Sequence, residues 1–194
     1  MKKILLVGMV VALLFSVQAQ TKAVAFLGAD LCFLDVLYSD TLQARFDLGI
    51  RLSPEFSFRA PVNIVSDRVY SNVSLWETGL FLDYHPFESG LFFSVSLVQL
   101  ALFSGEDRPL ESSLYLNEMA LGYTYHLWDH WFIEPKLIIR DPSGVFQNEY
   151  EQVEQVLVEY AQFRFSLTFG WDFLAIPNPR EKKEACEGQE GGEV

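Results

Sequence analysis

The chain has 194 residues, of which 50% are apolar, 15% aromatic and 21% charged, and its 26 acids outweigh its 14 bases to give a net charge of −12. That much apolar and aromatic side chain excludes a disordered polypeptide, and the acidic balance excludes a protein that clamps a phosphate backbone. At this length a single domain is expected.

The chain opens with Lys2 and Lys3, an apolar run from Ile4 to Phe15, and the short residues Val17-Gln18-Ala19. This is the layout of a secretory signal peptide, residues 1–19, cleaved after Ala19, and the run is too short to span a bilayer as a helix. No cysteine follows it, which argues against a lipid anchor. Removing the two lysines leaves 12 bases against 26 acids, a mature charge of −14. Cys32 and Cys186 lie far apart, one in an apolar segment and one in a polar tail, so they form no disulfide framework.

Beyond the signal the apolar period is two. From Leu42 to Leu52 the residues Leu42, Ala44, Phe46, Leu48, Ile50 and Leu52 alternate with Gln43, Arg45, Asp47, Gly49 and Arg51. From Tyr160 to Phe173 fourteen residues alternate without a fault. Successive strand side chains point to opposite faces, so each segment is a strand with one apolar and one polar face. The same template gives strands over 23–37, 41–52, 55–65, 73–85, 90–103, 113–127, 131–140 and 159–173. Short connections at Ser53-Pro54, 85–90 and 127–131 alternate with longer polar ones around 66–72, 104–112 and 141–158, and the brief Tyr38–Thr41 link belongs on the long-loop side. Eight long strands with short turns at one end and long loops at the other predict an all-β fold: an eight-stranded antiparallel up-and-down transmembrane β-barrel spanning 20–173. The remainder, 174–194, is rich in Pro, Glu, Lys and Gly and reads as a disordered periplasmic tail.

Alternation alone does not say which face is inside. The polar phase holds Arg45, Arg51, Arg59, Lys136, Arg140 and Arg164 against Asp47, Glu55, Glu77, Asp83, Glu118, Glu134 and Asp172, six bases to seven acids, although the mature chain carries −14. Near-neutral charge on one face suits an enclosed lumen, where unpaired charge is costly. The apolar phase carries Trp76, Tyr84, Tyr123, Tyr125, Trp131, Phe169, Trp171 and Phe173, expected near the short-turn ends like an interfacial girdle. These features favour a membrane barrel with its polar face inward over a soluble periplasmic lipocalin-like binding barrel, the alternative with the faces exchanged.

The signal peptide, the last strand YAQFRFSLTFGWDF and the turn DYHPFESG together resemble the small bacterial outer-membrane barrels of the OmpA, OmpX and OmpW type. The resemblance covers 20–173. It implies an outer-membrane location, outer-membrane lipid around the wall, and recognition of the final strand, through Tyr160, Phe169, Trp171 and Phe173, by the barrel-assembly machinery. In those barrels the chain ends on the closing aromatic, whereas 21 residues follow Phe173 here.

Several residues are weighed as sites. His126, Asp129 and His130 sit at a strand end and turn, where helical metal-ligand spacing does not hold, so solvated rim histidines are expected and no metal or other cofactor. Ser74, Ser94 and Ser96 are nucleophiles by type only, without a nucleophile elbow or phosphate loop, and no enzyme is expected. Glu149, Glu151, Glu154 and Glu159 form an acidic loop that reads as solvated, with cation or basic-partner binding the less favoured alternative. Phe92, Val98, Leu100 and Ile138 count into the inward phase unless a bulge turns some outward. If they face the lumen, they form an apolar patch for binding or passage of a small hydrophobic molecule, as OmpW resemblance implies. The leading expectation is a monomeric barrel with a side-chain-filled polar lumen and a structural or surface-interaction role.

Overall fold

The computed structural model describes residues 22–31, 41–67, 73–86, 90–105, 113–157 and 160–177. The signal sequence, Cys32, Cys186, Glu159, the Tyr38–Asp40 link and the tail from 178 onward lie outside the described residues.

The strands are β1 (Lys22–Asp30), β2 (Thr41–Arg51), β3 (Phe56–Asp67), β4 (Ser74–Tyr84), β5 (Leu91–Ser104), β6 (Ser113–Leu116), β7 (Glu118–Tyr123), β8 (Tyr125–His126), β9 (Trp131–Arg140) and β10 (Phe163–Pro177), with one helix, α1 (Gln147–Val156), between the last two. Every pairing is antiparallel, and each stave lies beside its neighbours in sequence. β6, β7 and β8 run in line along β5 and β9, interrupted only at Asn117 and Thr124, so they act as one stave. β10 pairs with both β9 and β1, closing an eight-stave barrel.

The turns at one end are tight for local reasons. Ser53 Oγ accepts the backbone N–H groups of Glu55 and Phe56, 3.3 and 3.0 Å away, and reverses the chain between β2 and β3. Leu127 N–H donates to Trp131 O at 2.9 Å in the β8–β9 turn. The long connections leave from the opposite end.

Expected and observed strands agree to within two residues for most of the chain, residues 32–37 of the expected first strand lie outside the described residues, and the two differ at three places. β10 begins at Phe163 rather than 159 and runs to Pro177 rather than 173. A strand persists only where a partner exists: β9 stops at Arg140, opposite Gln162, whereas β1 offers partners down to Lys22, so Leu174–Pro177 are strand and not tail. Tyr160 therefore lies outside the strand. Residues 141–158 are not merely a polar loop, because α1 forms within them. Finally, bulges at Leu97 in β5 and Phe173 in β10 each insert one residue and reverse the phase beyond it.

Candidate functional site: the barrel interior

The polar phase points inward. Arg45, Asp47, Arg59, Glu77, Asp83, Glu118, Glu134, Lys136 and Arg140 are all buried, while Phe46, Leu48, Trp76, Leu121, Phe165 and Trp171 on the other phase are exposed. Arg59 is the hub of the lower half, towards the short turns. Its Nη1 reaches Asp47 Oδ2 at 2.9 Å and Glu134 Oε2 at 2.7 Å, and its Nε reaches Asp83 Oδ2 at 3.0 Å. Lys136 Nζ shares Asp47 Oδ2 at 2.7 Å. Arg45 continues the chain upward, from Asp47 Oδ1 at 3.3 Å to Glu118 Oε2 at 3.2 Å, and Arg140 Nε takes the other oxygen of Glu118 at 3.2 Å. Four bases thus meet four acids in one connected cluster. Thr124 donates to the second oxygen of Glu134 and Ser57 adds a donor to Asp83 Oδ2, while Asp83 Oδ1 and Arg140 Nη2 stay buried without a hydrogen bond. Pairing of this kind is what makes buried charge tolerable.

Aromatic rings fill what the ion pairs leave. Phe26, Phe92 and Phe132 each stand directly opposite a glycine of the neighbouring strand, Gly49, Gly122 and Gly170. A Cβ on Gly122 would sit 2.5 Å from the Phe92 ring, and one on Gly170 2.1 Å from Phe132, so glycine lets each ring lie along the wall. The guanidinium of Arg59 lies 5.3 Å from the rings of both Phe26 and Phe92, and that of Arg51 4.7 and 4.9 Å from Phe26 and Phe132. The enclosed space left beside Arg45, Arg59, Glu118 and Lys136 is about 10 Å³, room for one water at most.

The remaining expected lumen residues divide. Arg51 pairs with Asp172 at 2.5 Å beside the short-turn rim, apart from the main cluster. Arg164 lies 3.6 Å from Asp30, which also accepts from Ser166 at 2.5 Å. Glu55 sits half-buried in the β2–β3 turn, where the ladder has ended, and makes none of these ion pairs. Of the apolar patch, Phe92 and Ile138 point inward, but Val98 and Leu100 do not, because the extra residue Leu97 turns both to the outer face. Trp76 is also displaced: it sits towards the long-loop end of β4, eight positions from Tyr84.

Three features escaped the sequence reading. Asp30 extends the inward phase of Phe26 and Gly28. Asn63 does the same in β3 and donates to Glu77 Oε2 at 2.5 Å. Largest is α1, whose signal was present as the spacing Phe146, Tyr150, Val153, Leu157, four, three and four residues apart, a helical stripe inside a polar stretch. It carries Glu149, Glu151 and Glu154. Tyr150, Val153, Leu157 and Tyr160 pack on Val65, Leu75, Ala101, Phe103, Leu114 and Leu116 at the long-loop mouth. Tyr150 OH donates to Asn117 O at 2.6 Å, and Tyr160 OH donates to Glu77. Burial holds both phenols well above the usual tyrosine range, so they remain donors.

His126 and His130 are exposed, with His126 Nε2 3.9 Å from Asp172 Oδ2. Among the described residues no group of three His, Cys, Asp or Glu side chains is placed to hold a metal ion. Ser94 faces the lumen, Ser96 accepts Glu118 N–H at 2.9 Å, and Ser74 bonds Ser66 at 2.9 Å on the outer face. No protein-family model matches the chain, and no curated protein matches it.

Proposed function

We propose that the chain is an outer-membrane barrel of the small OmpA, OmpX and OmpW type, a closed scaffold or surface-interaction protein rather than a channel. The observation that carries this reading is the inversion of the wall: balanced, bonded charge inside and large apolar side chains outside. A soluble binding barrel would present the opposite arrangement, an apolar cavity within a polar coat.

The outer face also has the vertical order expected of a membrane wall. Ser66, Ser74 and Ser104 stand in register at the long-loop end, Trp76 lies just below them, and Tyr84, Tyr123, Tyr125, Trp131 and Trp171 ring the short-turn end. Between Trp76 and Tyr84 the strand rises about 20 Å along the axis, taking about 3.3 Å per residue and a tilt of about 40°, close to the apolar band of known membrane barrels. Stacked Trp131 and Phe169, 5.0 Å apart, continue the girdle from β9 to β10. Strand β10, with Phe169, Trp171 and Phe173, supplies the segment we assign to the barrel-assembly machinery.

The test is fractionation of the native protein together with gel migration before and after boiling. An outer-membrane barrel is recovered with the outer membrane and runs faster unheated; a soluble periplasmic monomer without a heat shift overturns the reading. Phe165 sharpens it. At 72% exposed, Phe165→Arg should cost about 2–4 kcal/mol in a bilayer and almost nothing if water surrounds the wall. Planar-bilayer recordings should show no steady open conductance, because the charge cluster and its rings leave a space of only about 10 Å³ beside Arg45, Arg59, Glu118 and Lys136.

A further inference from the structure

The long-loop mouth is built differently from the lumen beneath it. Val65, Leu75, Ala101, Phe103, Leu114 and Leu116 turn inward there and form an apolar cup against one side of the barrel. Its floor is polar. Glu77 and the Asn117 carbonyl accept hydrogen bonds from Tyr160 and Tyr150. Gln99, 3% exposed and directly opposite Leu116, has its Oε1 buried without a partner, and Arg140 has a buried, unpartnered Nη2.

What fills the cup is the chain's own segment, and its helix has little stability of its own. α1 has ten residues, no side-chain cap at Phe146, no basic residue in its last turn, and three glutamates. A helix this short does not hold itself in water, so its order derives from the cup. The backbone turns off the wall through Asp141 (φ 46°) and Gly144 (φ 66°), and Asp141 fixes where the segment leaves, its N–H donating to Asn117 O at 3.0 Å and its Oδ1 accepting Phe146 N–H at 3.2 Å. Inside the cup it is held by apolar side chains, by the two tyrosine hydroxyls and by the Arg140 guanidinium over the Tyr160 ring.

Those hydroxyls define the chemistry of the site. Each tyrosine offers an apolar body with a neutral head that donates to a carboxylate, carbonyl or amide oxygen and can accept from a guanidinium. A carboxylate head would face Glu77 and Glu118, and an ammonium head would face Arg140 and Arg45. We propose that the cup is a binding site for an apolar molecule with a neutral hydroxyl head, a long-chain or aromatic alcohol, and that the α1 segment is an internal occupant which this ligand displaces. The inference concerns the barrel interior, so it stands or falls separately from the identity of the solvent outside the wall.

The test places a single reporter thiol under α1, Val153→Cys, in a chain carrying Cys32→Ser and Cys186→Ser. The purified protein, first shown to be closed by its heat-dependent migration, is labelled with a maleimide while dodecan-1-ol is added; dodecanoate and dodecane serve as controls. Labelling tracks the population of the open form when opening is fast, so the alcohol should raise the rate saturably, by about tenfold, and the two controls should not. No rise with the alcohol, or an equal rise with all three, overturns the proposal. If Val153→Cys fails to close, Leu157→Cys reports the same opening. Tyr160→Phe keeps the ring over Arg140, where the guanidinium lies 3.5 Å from its centroid, and removes the donor to Glu77. It should raise the unliganded rate and lower the alcohol concentration needed; an unchanged rate would remove the hydroxyl from the argument.

Discussion

The two halves of the barrel interior are filled in opposite ways. Below, towards the short turns, the filling belongs to the wall itself: Arg59, Asp47, Asp83, Glu134 and Lys136 reach inward from four staves and are locked by ion pairs of 2.7 to 3.0 Å. Above, the filling is a separate segment, α1, held by contact with Val65, Leu75, Phe103 and Leu116. In the lower half the Arg59–Glu134 and Lys136–Asp47 pairs tie together strands distant in sequence, so losing one should weaken the whole closure. In the upper half the plug can be loosened without touching a ladder hydrogen bond. The difference separates global stability from local order, and it can be broken at either end.

The largest effect is expected at Arg59. Arg59→Met keeps much of the aliphatic volume but leaves Asp47, Asp83 and Glu134 without their common cation, buried and close together. Removing one partner of a buried pair costs about 3–5 kcal/mol, which should lower the urea midpoint of the whole barrel, measured by the loss of the fast-migrating unheated form. A midpoint unchanged from the parent would mean that the cluster is solvated and that the lower half is not the structural centre of the fold.

Leu157→Ala makes the matching test in the upper half. Leu157 is buried in the plug, and truncating a buried leucine costs about 2–5 kcal/mol where the cost is felt. Here it should fall on the plug: the amides of α1 lose hydrogen-exchange protection, while β2, β3 and β9 keep theirs and the urea midpoint moves little. Equal loss of protection in plug and wall would erase the distinction between the two halves.

The same contrast explains what could be read from the sequence. The lower half was legible because a strand writes its two faces alternately into the chain, and the near balance of bases and acids on one phase showed that this phase was enclosed. Even the placement of Phe92 and Ile138 followed from counting. Val98 and Leu100 were misplaced because a bulge has no composition of its own: one extra residue, Leu97, reverses the phase, and only the partner strand reveals it. Glu55 was misplaced because it continues the polar phase by count although the chain is already turning. The plug was missed for a different reason. Its apolar stripe is four residues long within a run of glutamates and glutamines, so average polarity hid a spacing that makes sense only beside the cup it fills.

The smallest expected effect lies at the short-turn rim, where pH should act on His85. Its Nε2 is 3.2 Å from Ser57 Oγ and its ring lies 5.7 Å from that of Phe92. Burial pushes the imidazole below its usual value of 6.5, and Arg59 and Arg51 push the same way, while Asp83 and Glu134 oppose them. A folded-state value below the unfolded one means that the unfolded chain binds the extra proton. The stability contributed by neutral His85 is therefore present above about pH 6.5 and is lost as pH falls through that value towards the lower folded one. His85→Gln, which keeps a hydrogen-bonding end near Ser57 without titrating, should flatten the fall in urea midpoint between about pH 7 and pH 5 and leave the plug's exchange protection unaltered. An identical pH profile in parent and variant would show that the rim does not sense the charge of His85. A loss of protection in α1 at low pH in the parent alone would show that the two halves are coupled.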